Sequence, residues 1–441
     1  MSKICIIGTG YVGLVSGACL ADFGHKVECV DINESRIKTL NDGEIPIYEP
    51  GLKDVVIRNV AAERLAFSTN LEHGVRASDV IFIAVGTPPR EDGSTDMSYV
   101  FAAARDLAGY LDGYKVIVQK STVPVGSARE VAAVIREHAP KGAEFDFVSN
   151  PEFLREGAAV GDFMRPNRVV IGADSDRARE VMKDVYRPLY LLETPIVNTT
   201  PESAEMIKYA SNAYLATKIS FINEIAAICE RTGATVDDVA RGVGLDGRIG
   251  SKFLHAGVGY GGSCLPKDVT SLIYLAREKG YEPGIIAAVH GLNAGQVDRT
   301  MDKLSAALGG IEGKTVGLFG LSFKPNTDDL REAPSLGIVA ALSAGGATIK
   351  TFDPIAMDNF RKESPVPVEY CKNAYDCAED SDAVVLITEW NEFRELDFER
   401  LAKLMKGNVF IDCRNVYKPE RVESYGFKYD SFGRGPAGGE E

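Results

Sequence analysis

Ile4-Cys5-Ile6-Ile7-Gly8-Thr9-Gly10-Tyr11-Val12-Gly13 is the stretch on which the fold turns. A β-branched apolar run ends in a GxGxxG turn, and a small-residue helical pattern follows. A second apolar run then closes on Asp31. Strand, glycines, helix, strand and terminal acid in that order form the dinucleotide-binding fingerprint. Gly8 permits the tight turn, Gly10 lets backbone approach a pyrophosphate, and Gly13 allows close helix–strand packing. The helix start supplies N–H donors and partial positive charge to a phosphate. Asp31 would accept bonds from ribose hydroxyls and repel a 2′-phosphate, favouring NAD over NADP. Arg36 tempers that preference, because an arginine there can take a 2′-phosphate.

Working outward, the first part of the chain alternates short apolar runs with Ala-rich helical patterns. Strands are predicted at 4–8, 26–31, 65–68, 79–85, 115–120, 145–149 and 168–172, with helices at 97–111 and 128–138. Such alternation argues for a parallel α/β sheet. The texture changes at Thr200-Pro201-Glu202, which reads as an N-cap, a proline in the first turn and an acid. The helical pattern then runs to Arg231 with an apolar face from Met206 to Ile228, long enough to bridge two units or meet a partner subunit. Shorter helices are predicted at 236–242 and 269–279. Strands resume at 315–320, 348–353, 383–388 and 409–413, with a helix at 335–343. The expected architecture is α/β: two Rossmann-like parallel-sheet domains, 1–199 and 301–432, joined by a long central helix and a helical region, 200–300. A disordered tail is expected at 433–441.

Composition agrees. The 441 residues suit about three units of ordinary domain size. A hydrophobic share of 45% and a charged share of 25% fit a globular protein and exclude disorder as the main state. The net charge of −14 disfavours nonspecific binding to nucleic acid or anionic membrane. Any phosphate must be gripped locally. No stretch approaches the ~20 apolar residues of a membrane span. No signal peptide is read after Met1-Ser2-Lys3, so a cytoplasmic location is expected. None of the eight cysteines forms a CxxC pair, and most sit in apolar runs as buried thiols would.

One cysteine differs. Gly257-Val258-Gly259-Tyr260-Gly261-Gly262-Ser263-Cys264-Leu265-Pro266-Lys267-Asp268 places Cys264 where a glycine loop meets a helix start. Four glycines imply φ > 0 or close backbone approach to a ligand. Helix N–H groups and Lys267 lower a thiol pKa, which marks Cys264 as a nucleophile. No Cys or His stands at ligand spacing, so no metal is expected. Lys208 and Asn212 share a face of the long helix. Alone, a lysine on so apolar a helix reads as a snorkelling surface residue. Asn150-Pro151-Glu152-Phe153-Leu154-Arg155-Glu156-Gly157 follows a strand end, where parallel sheets bind ligands. Glu152 or Glu156 could serve there as a base or hold a hydroxyl, although read alone an acid in this place fits better as one held at a helix N-terminus by the helix dipole. Thr87 and Thr122 lie in similar strand-end loops. Gly320 to Arg331 occupies a phosphate-loop position without GxGxxG, so Lys324 and Arg331 would supply the charge.

These blocks resemble the nucleotide-sugar dehydrogenases, the UDP-glucose/GDP-mannose dehydrogenase family. GTGYVGL, VDINESRI, YEPGL, VGTP, STVPVG, NPEFLREG, EMIKYASNAYLATKISFINE, DGRIG, GYGGSCLPKD and GLSFKPNTDDLREAPS carry the resemblance over about residues 1–420. It implies NAD in the first domain, a UDP moiety in the second, and a dimer built on the long helix. It also implies oxidation of the C6 alcohol of UDP-glucose to give UDP-glucuronate, with two NAD⁺ and one water. By resemblance Cys264 is the nucleophile of a thiohemiacetal and thioester. Lys208 stabilises developing negative oxygen with Asn212 beside it, Asp268 assists Lys208 and a water, Glu152 is the base for hydrolysis, and Thr122 positions water.

The cofactor contacts implied are Gly8, Gly10, Tyr11, Val12, Gly13, Asp31, Arg36, Thr87, Thr122, Glu156, Lys267 and Arg331. Those to substrate are Glu152, Phe153, Leu154, Arg155, Glu156, Lys208, Asn212, Phe253, Leu254, His255, Ala256, Gly257, Tyr260, Gly261 and Lys324. Arg248 resembles an arginine that reaches a neighbouring subunit's substrate. His255 stands where some members carry lysine. GDP-mannose dehydrogenases share the GGSCLPKD block, whereas DGRIG followed by KFLHAGVGYGG looks more like the UDP-glucose branch. A non-catalytic sensor of the same fold would be expected to have lost Cys264, Lys208, Asn212 or Asp268.

Overall fold

The computed structural model describes residues 1–434 and divides into two units, one ending at Ser211 and one beginning at Asn212. The expected tail begins at 433, but Gly433 and Arg434 are fixed by bonds to Glu230 and Asp237. Residues 435–441 lie outside the described residues.

In the first unit eight strands form one sheet: β1 (Lys3–Ile7), β2 (Lys26–Val30), β3 (Leu65–Ser68), β4 (Val80–Ile83), β5 (Tyr114–Gln119), β6 (Glu144–Ser149), β7 (Val169–Ala173) and β8 (Ile196–Thr199). Their order is β3-β2-β1-β4-β5-β6-β7-β8. All pairs are parallel except β6 with β7. Chain order reverses between β1 and β4, the switch point at which such sheets bind ligands. Every residue after Lys3 in β1 is buried. Ile4 and Ile6 join the core on one face with Val27, Cys29 and Phe82. Cys5 and Ile7 join the other with Val30, Ile81 and Ile83. Burial on both faces is why these strands read as unbroken apolar runs.

The second unit carries a six-stranded, all-parallel sheet. Its strands are β9 (Thr315–Phe319), β10 (Thr348–Phe352), β11 (Glu369–Tyr370), β12 (Ala383–Leu386), β13 (Val409–Asp412) and β14 (Lys428–Ser431). The order β11-β10-β9-β12-β13-β14 repeats the same reversal beside the first strand. Before this sheet come the helices Val236–Gly244, Leu265–Glu278, Gly284–Ala294 and Gln296–Leu308. Segment 212–300 falls in the same compact unit as the second sheet.

The long helix spans Pro201–Thr232, and the boundary between the units falls inside it. Thr200 caps it, its hydroxyl accepting from Ser203 N at 3.2 Å. The expected apolar face is divided, with Ala213 and Ile222 buried in the core. Met206, Tyr214, Phe221 and Ile228 are exposed, while Glu205, Lys208, Asn212, Ser220 and Asn223 are buried. Polar groups turn inward because each finds a partner or a site, and apolar ones are left for another surface.

Candidate functional site

In the first unit the glycine turn has the geometry a dinucleotide needs. Gly8 has φ of 101°, and a Cβ there would meet Ala84 O at 2.7 Å. A Cβ on Gly13 would meet Gly8 O at 2.0 Å. Gly10 differs, because a Cβ there would meet nothing within 4 Å. The chain itself does not require glycine at Gly10. The helix Tyr11–Asp22 begins at Gly10 with no side-chain cap and no acid in its first turn, leaving its N–H groups toward an anion.

Asp31 lies just past β2. Its Oδ2 accepts from Thr9 N at 2.7 Å and Thr9 Oγ1 at 2.8 Å, and its Oδ1 from Asn33 N at 2.9 Å. Burial alone would raise this carboxyl, but these donors and Arg36, 3.4 Å away, hold it below the usual range. Val12 and Thr87 are half-buried at the same end of the sheet. The Tyr11 hydroxyl is bonded to Glu49. Glu49 also accepts from Gly157 N at 2.6 Å and Ala159 N at 2.8 Å. It ties the YEPGL block to the loop carrying Glu152, a role that the sequence reading missed.

Lys208 corrects the isolated sequence reading of a surface lysine. Its Nζ lies 2.7 Å from Glu152 Oε1, and the side chains are 3% and 5% exposed. Glu152 Oε2 accepts from Leu154 N at 2.5 Å. Desolvation would raise Glu152, but the Lys208 ammonium and the Leu154 N–H outweigh it and hold the carboxyl below its ordinary range. Phe153 lies under the Arg168 guanidinium at 3.3 Å and the Lys208 ammonium at 5.5 Å. Arg155 is turned to Asp162 at 2.6 Å. Lys208 and Thr122 line one small cavity with Gln119, Ser121, Ser149 and Glu205. Glu205 accepts from Gly126 N, Ala128 N and Ser149 Oγ at 2.7, 2.9 and 3.2 Å, fastening the Thr122 loop to the long helix. Burial nevertheless pushes its carboxyl up to about 7.

In the second unit Cys264 is the N-cap residue of the helix Leu265–Glu278 and the one cysteine not fully buried. Ser263 Oγ lies 3.5 Å from its Sγ. Asp268, in the first turn, is 1% exposed. It receives Asn212 Nδ2 on Oδ2 at 2.6 Å and Lys267 Nζ on Oδ1 at 2.6 Å. Cys264 thus stands at a helix N-terminus with a charge network immediately behind it.

The glycines of this loop answer to the chain's own backbone rather than to a ligand alone. A Cβ on Gly257 would meet Cys413 O at 2.3 Å, and one on Gly261 would meet Glu332 O at 2.2 Å. Asn293 brackets Tyr260 through both main-chain groups, at 2.9 and 3.0 Å. The Tyr260 hydroxyl is buried with no hydrogen-bond partner among the described residues. Leu254, Ala256 and Gly257 are buried, Phe253 is half-buried, and His255 is exposed.

Lys324 lies over the Phe323 ring at 5.2 Å. Arg331 pairs with Asp329 at 2.8 Å, and Arg248, 89% exposed, pairs with Asp246 at 2.5 Å. Arg414 donates to Ile387 O at 2.8 Å and to Gly259 O and Phe323 O at 3.2 Å each, joining the cysteine loop to the Lys324 loop. Asp353 matches Asp31 in position, just past the second strand of its sheet. It is 1% exposed, with backbone and side-chain donors from Leu321, Ser322, Ile355, Ala356 and Trp390 on its oxygens. No acceptor remains for a ribose, so this sheet lacks the dinucleotide grip of the first.

An open Gly10, an uncapped helix start and an ionised Asp31 define a dinucleotide-binding α/β enzyme; the second unit by itself carries a cysteine at a helix start. The NAD binding domain of the UDP-glucose/GDP-mannose dehydrogenase family matches residues 2–190, its central domain 202–295, and its UDP binding domain 317–419. The chain belongs to this family of NAD-dependent dehydrogenases. It is 54% identical over 436 residues to the UDP-glucose 6-dehydrogenase of Rhizobium meliloti (strain 1021), covering 98% of this chain and 99% of that one. It is 49% identical over 441 residues to the UDP-glucose 6-dehydrogenase TuaD of Bacillus subtilis (strain 168), covering 100% and 95%. Its fold is similar to that of a UDP-glucose dehydrogenase from Pyrobaculum islandicum, with a TM-score of 0.92 and 38% identity over 99% of this chain and 98% of the other.

Proposed function

We propose that the enzyme oxidises the C6 alcohol of UDP-glucose to the carboxylate of UDP-glucuronate, consuming two NAD⁺ and one water through a covalent bond to Cys264. The observation that carries this reading is Cys264 at a helix start beside the Lys267–Asp268–Asn212 network. A simple alcohol dehydrogenase has no use for such a thiol. NAD⁺, when bound at Gly10 and Asp31, supplies the hydride acceptor for each oxidation.

The C6 hydroxyl gives its proton to water as hydride leaves, and Lys208 steadies the negative charge on the oxygen, in a buried setting where a charged donor counts for more than in water. The aldehyde has no further hydride to give until a nucleophile adds. The Cys264 thiolate forms the carbon–sulfur bond, and the former carbonyl oxygen takes a proton. Loss of the second hydride to NAD⁺, with the hydroxyl proton passing to water, leaves a thioester. Water, with Thr122 beside it, attacks the acyl carbon while Glu152 takes its proton, and the thiolate leaves. Asp268 and Asn212 hold the polar side of the cysteine loop in place.

UDP would be held in the second unit, with Lys324 toward a phosphate and the Tyr260 hydroxyl toward the sugar nucleotide. A second copy of the chain would cover the exposed Tyr214, Phe221, Ile228, Leu245 and Ile285. Cysteines 5, 19, 29, 229, 371, 377 and 413, all buried thiols, suit a reducing cytoplasm.

The test is the NADH yield per sugar. Two NADH from each UDP-glucose and none from GDP-mannose is expected. One NADH per UDP-glucose, or turnover of GDP-mannose alone, would overturn the reading.

A further inference from the structure

Besides Lys208 the first unit buries two lysines outside the proposed reaction, Lys115, which pairs with Asp112, and Lys120. Lys120 follows β5 and is 4% exposed. Its Nζ lies 3.1 Å from Asn150 Oδ1 and 3.3 Å from Tyr186 Oη. It also lies 5.8 Å from the ring centres of both Phe163 and Tyr186. Among the described residues no carboxylate pairs with it. An ammonium taken out of water without an anion is costly, so the fold must gain something elsewhere.

What Lys120 grips suggests the gain. Asn150 Oδ1 also accepts from Tyr186 Oη at 2.6 Å, closing a triangle of three polar groups. Asn150 Nδ2 donates to Val170 O at 2.7 Å, so the amide is fixed at both ends. Asn150 opens the loop that presents Glu152 two residues later. The charged or titratable groups facing Lys120 come from each element around it. Glu152 on that loop favours its charged form, Lys208 on the long helix opposes it, and Tyr186 closes the helix Asp176–Val185. Phe163, from the helix Ala159–Met164, adds only its ring. Arg168 is a further cation on Glu152.

We propose that Lys120 is a positioning residue for the oxidation: through Asn150 it fixes the Glu152 loop, and as a second buried positive charge it keeps Glu152 ionised opposite Lys208. The inference rests on the working roles given above to Glu152 and Lys208. It explains why a lysine, rather than an apolar residue, fills an aromatic-walled pocket. Burial pushes the Lys120 ammonium down to about 8, so the charge is present at neutral pH and is lost in mild alkali.

Removing a positive charge raises the proton affinity of every group that felt it. Lys120→Met fits the aromatic pocket and abolishes the charge. Lys120→Gln abolishes the charge but keeps a donor for Asn150 Oδ1. Lys120→Arg keeps the charge. The test compares the pH profiles of kcat for UDP-glucose oxidation. The acid limb should move to higher pH by about half a unit or more in both neutral variants and stay near wild type in Lys120→Arg. A purely structural role would lower kcat alike at all pH values, and neutral variants whose profiles superpose on wild type after scaling would overturn the proposal.

A second reading does not depend on activity. The folded protein holds the Lys120 proton less tightly than the unfolded chain, so wild type gains stability on Lys120→Met as pH rises from about 8 toward the ordinary lysine value of 10.5. Wild-type stability that rises relative to Lys120→Met over that range supports a buried charge, and a constant difference overturns it. A wild type that makes no NADH from UDP-glucose would refute the proposed function, while this stability comparison would still decide the charge of Lys120.

Discussion

Lys208 Nζ and Glu152 Oε1 lie 2.7 Å apart, and both side chains are almost wholly withdrawn from solvent. Breaking such a pair leaves one buried charge without its partner, which costs about 3–5 kcal/mol. Lys208→Ala should therefore lower unfolding stability by about that amount as well as activity. The double variant Lys208→Met/Glu152→Gln should recover more than half of the stability and none of the activity. Denaturant unfolding of the three proteins measures this. Equal stability for the single and double variants would show that the pair is not coupled.

The same pair sets a pH dependence. Glu152 is held below its ordinary value of 4.5 in the folded protein. A carboxyl depressed on folding contributes stability above its unfolded pKa and loses it as pH falls through the folded value. The stability advantage of wild type over Glu152→Gln should be level from pH 7 to about 5 and shrink below about 4.5. Thermal unfolding of both proteins at pH 7, 5 and 4 reads it. An advantage that grows toward low pH would contradict the assigned direction.

Gly10 and Gly8 should respond in opposite ways to alanine. Gly10 has open space at its Cβ position, so Gly10→Ala should keep the wild-type melting temperature and weaken NAD⁺ binding tenfold or more, about 1.4 kcal/mol. Gly8 has positive φ and backbone 2.7 Å from a Cβ, so Gly8→Ala should unfold well below wild type. Calorimetric melting and NAD⁺ titration separate the two. A destabilised Gly10→Ala with normal NAD⁺ affinity would mean that this glycine serves packing.

Asp31 should set the choice of cofactor. Its carboxyl is ionised and already engaged by Thr9, Asn33 and Arg36, so a 2′-phosphate would meet negative charge. NAD⁺ should be preferred over NADP⁺ by at least tenfold in kcat/KM, about 1.4 kcal/mol. Equal values would show that Arg36 governs the pocket.

Lys324→Ala should weaken UDP-glucose binding by about 1.5–3 kcal/mol, the worth of a hydrogen bond to a charged group, and leave NAD⁺ binding unchanged. Separate titrations of the two ligands measure it. Selective loss of NAD⁺ affinity would reverse the assignment of ligands to the two sheets.

The glycine turn and Asp31 were legible because the fingerprint is local: strand, turn, helix and acid lie within one short segment. Lys208 was not legible from its own surroundings, because its partner Glu152 is far away in sequence and a lysine on an apolar helix has an ordinary surface explanation. Only the resemblance singled it out. Lys120 and Glu205 escaped for the same reason, each being defined by neighbours from other elements. The antiparallel pairing of β7 leaves no mark on side-chain alternation, and β8 is too short and too exposed to show a buried run. The helices Gly284–Ala294 and Gln296–Leu308 were passed over because Gly284, Gly291 and Gly295 punctuate their pattern. The glycines from 257 to 262 were rightly read as close approach, but much of that approach is by the backbone of Cys413 and Glu332.

The most direct test of the covalent route is the NADH yield of Cys264→Ser. A serine hydroxyl at this helix start is a far weaker nucleophile than a thiolate at neutral pH. The first oxidation needs no bond to the protein, and the second does. Burst measurements with excess NAD⁺ and limiting UDP-glucose should give fewer than two NADH per sugar, with aldehyde or a serine hemiacetal retained on the quenched protein. Two NADH per sugar at a rate near wild type would contradict the thioester route.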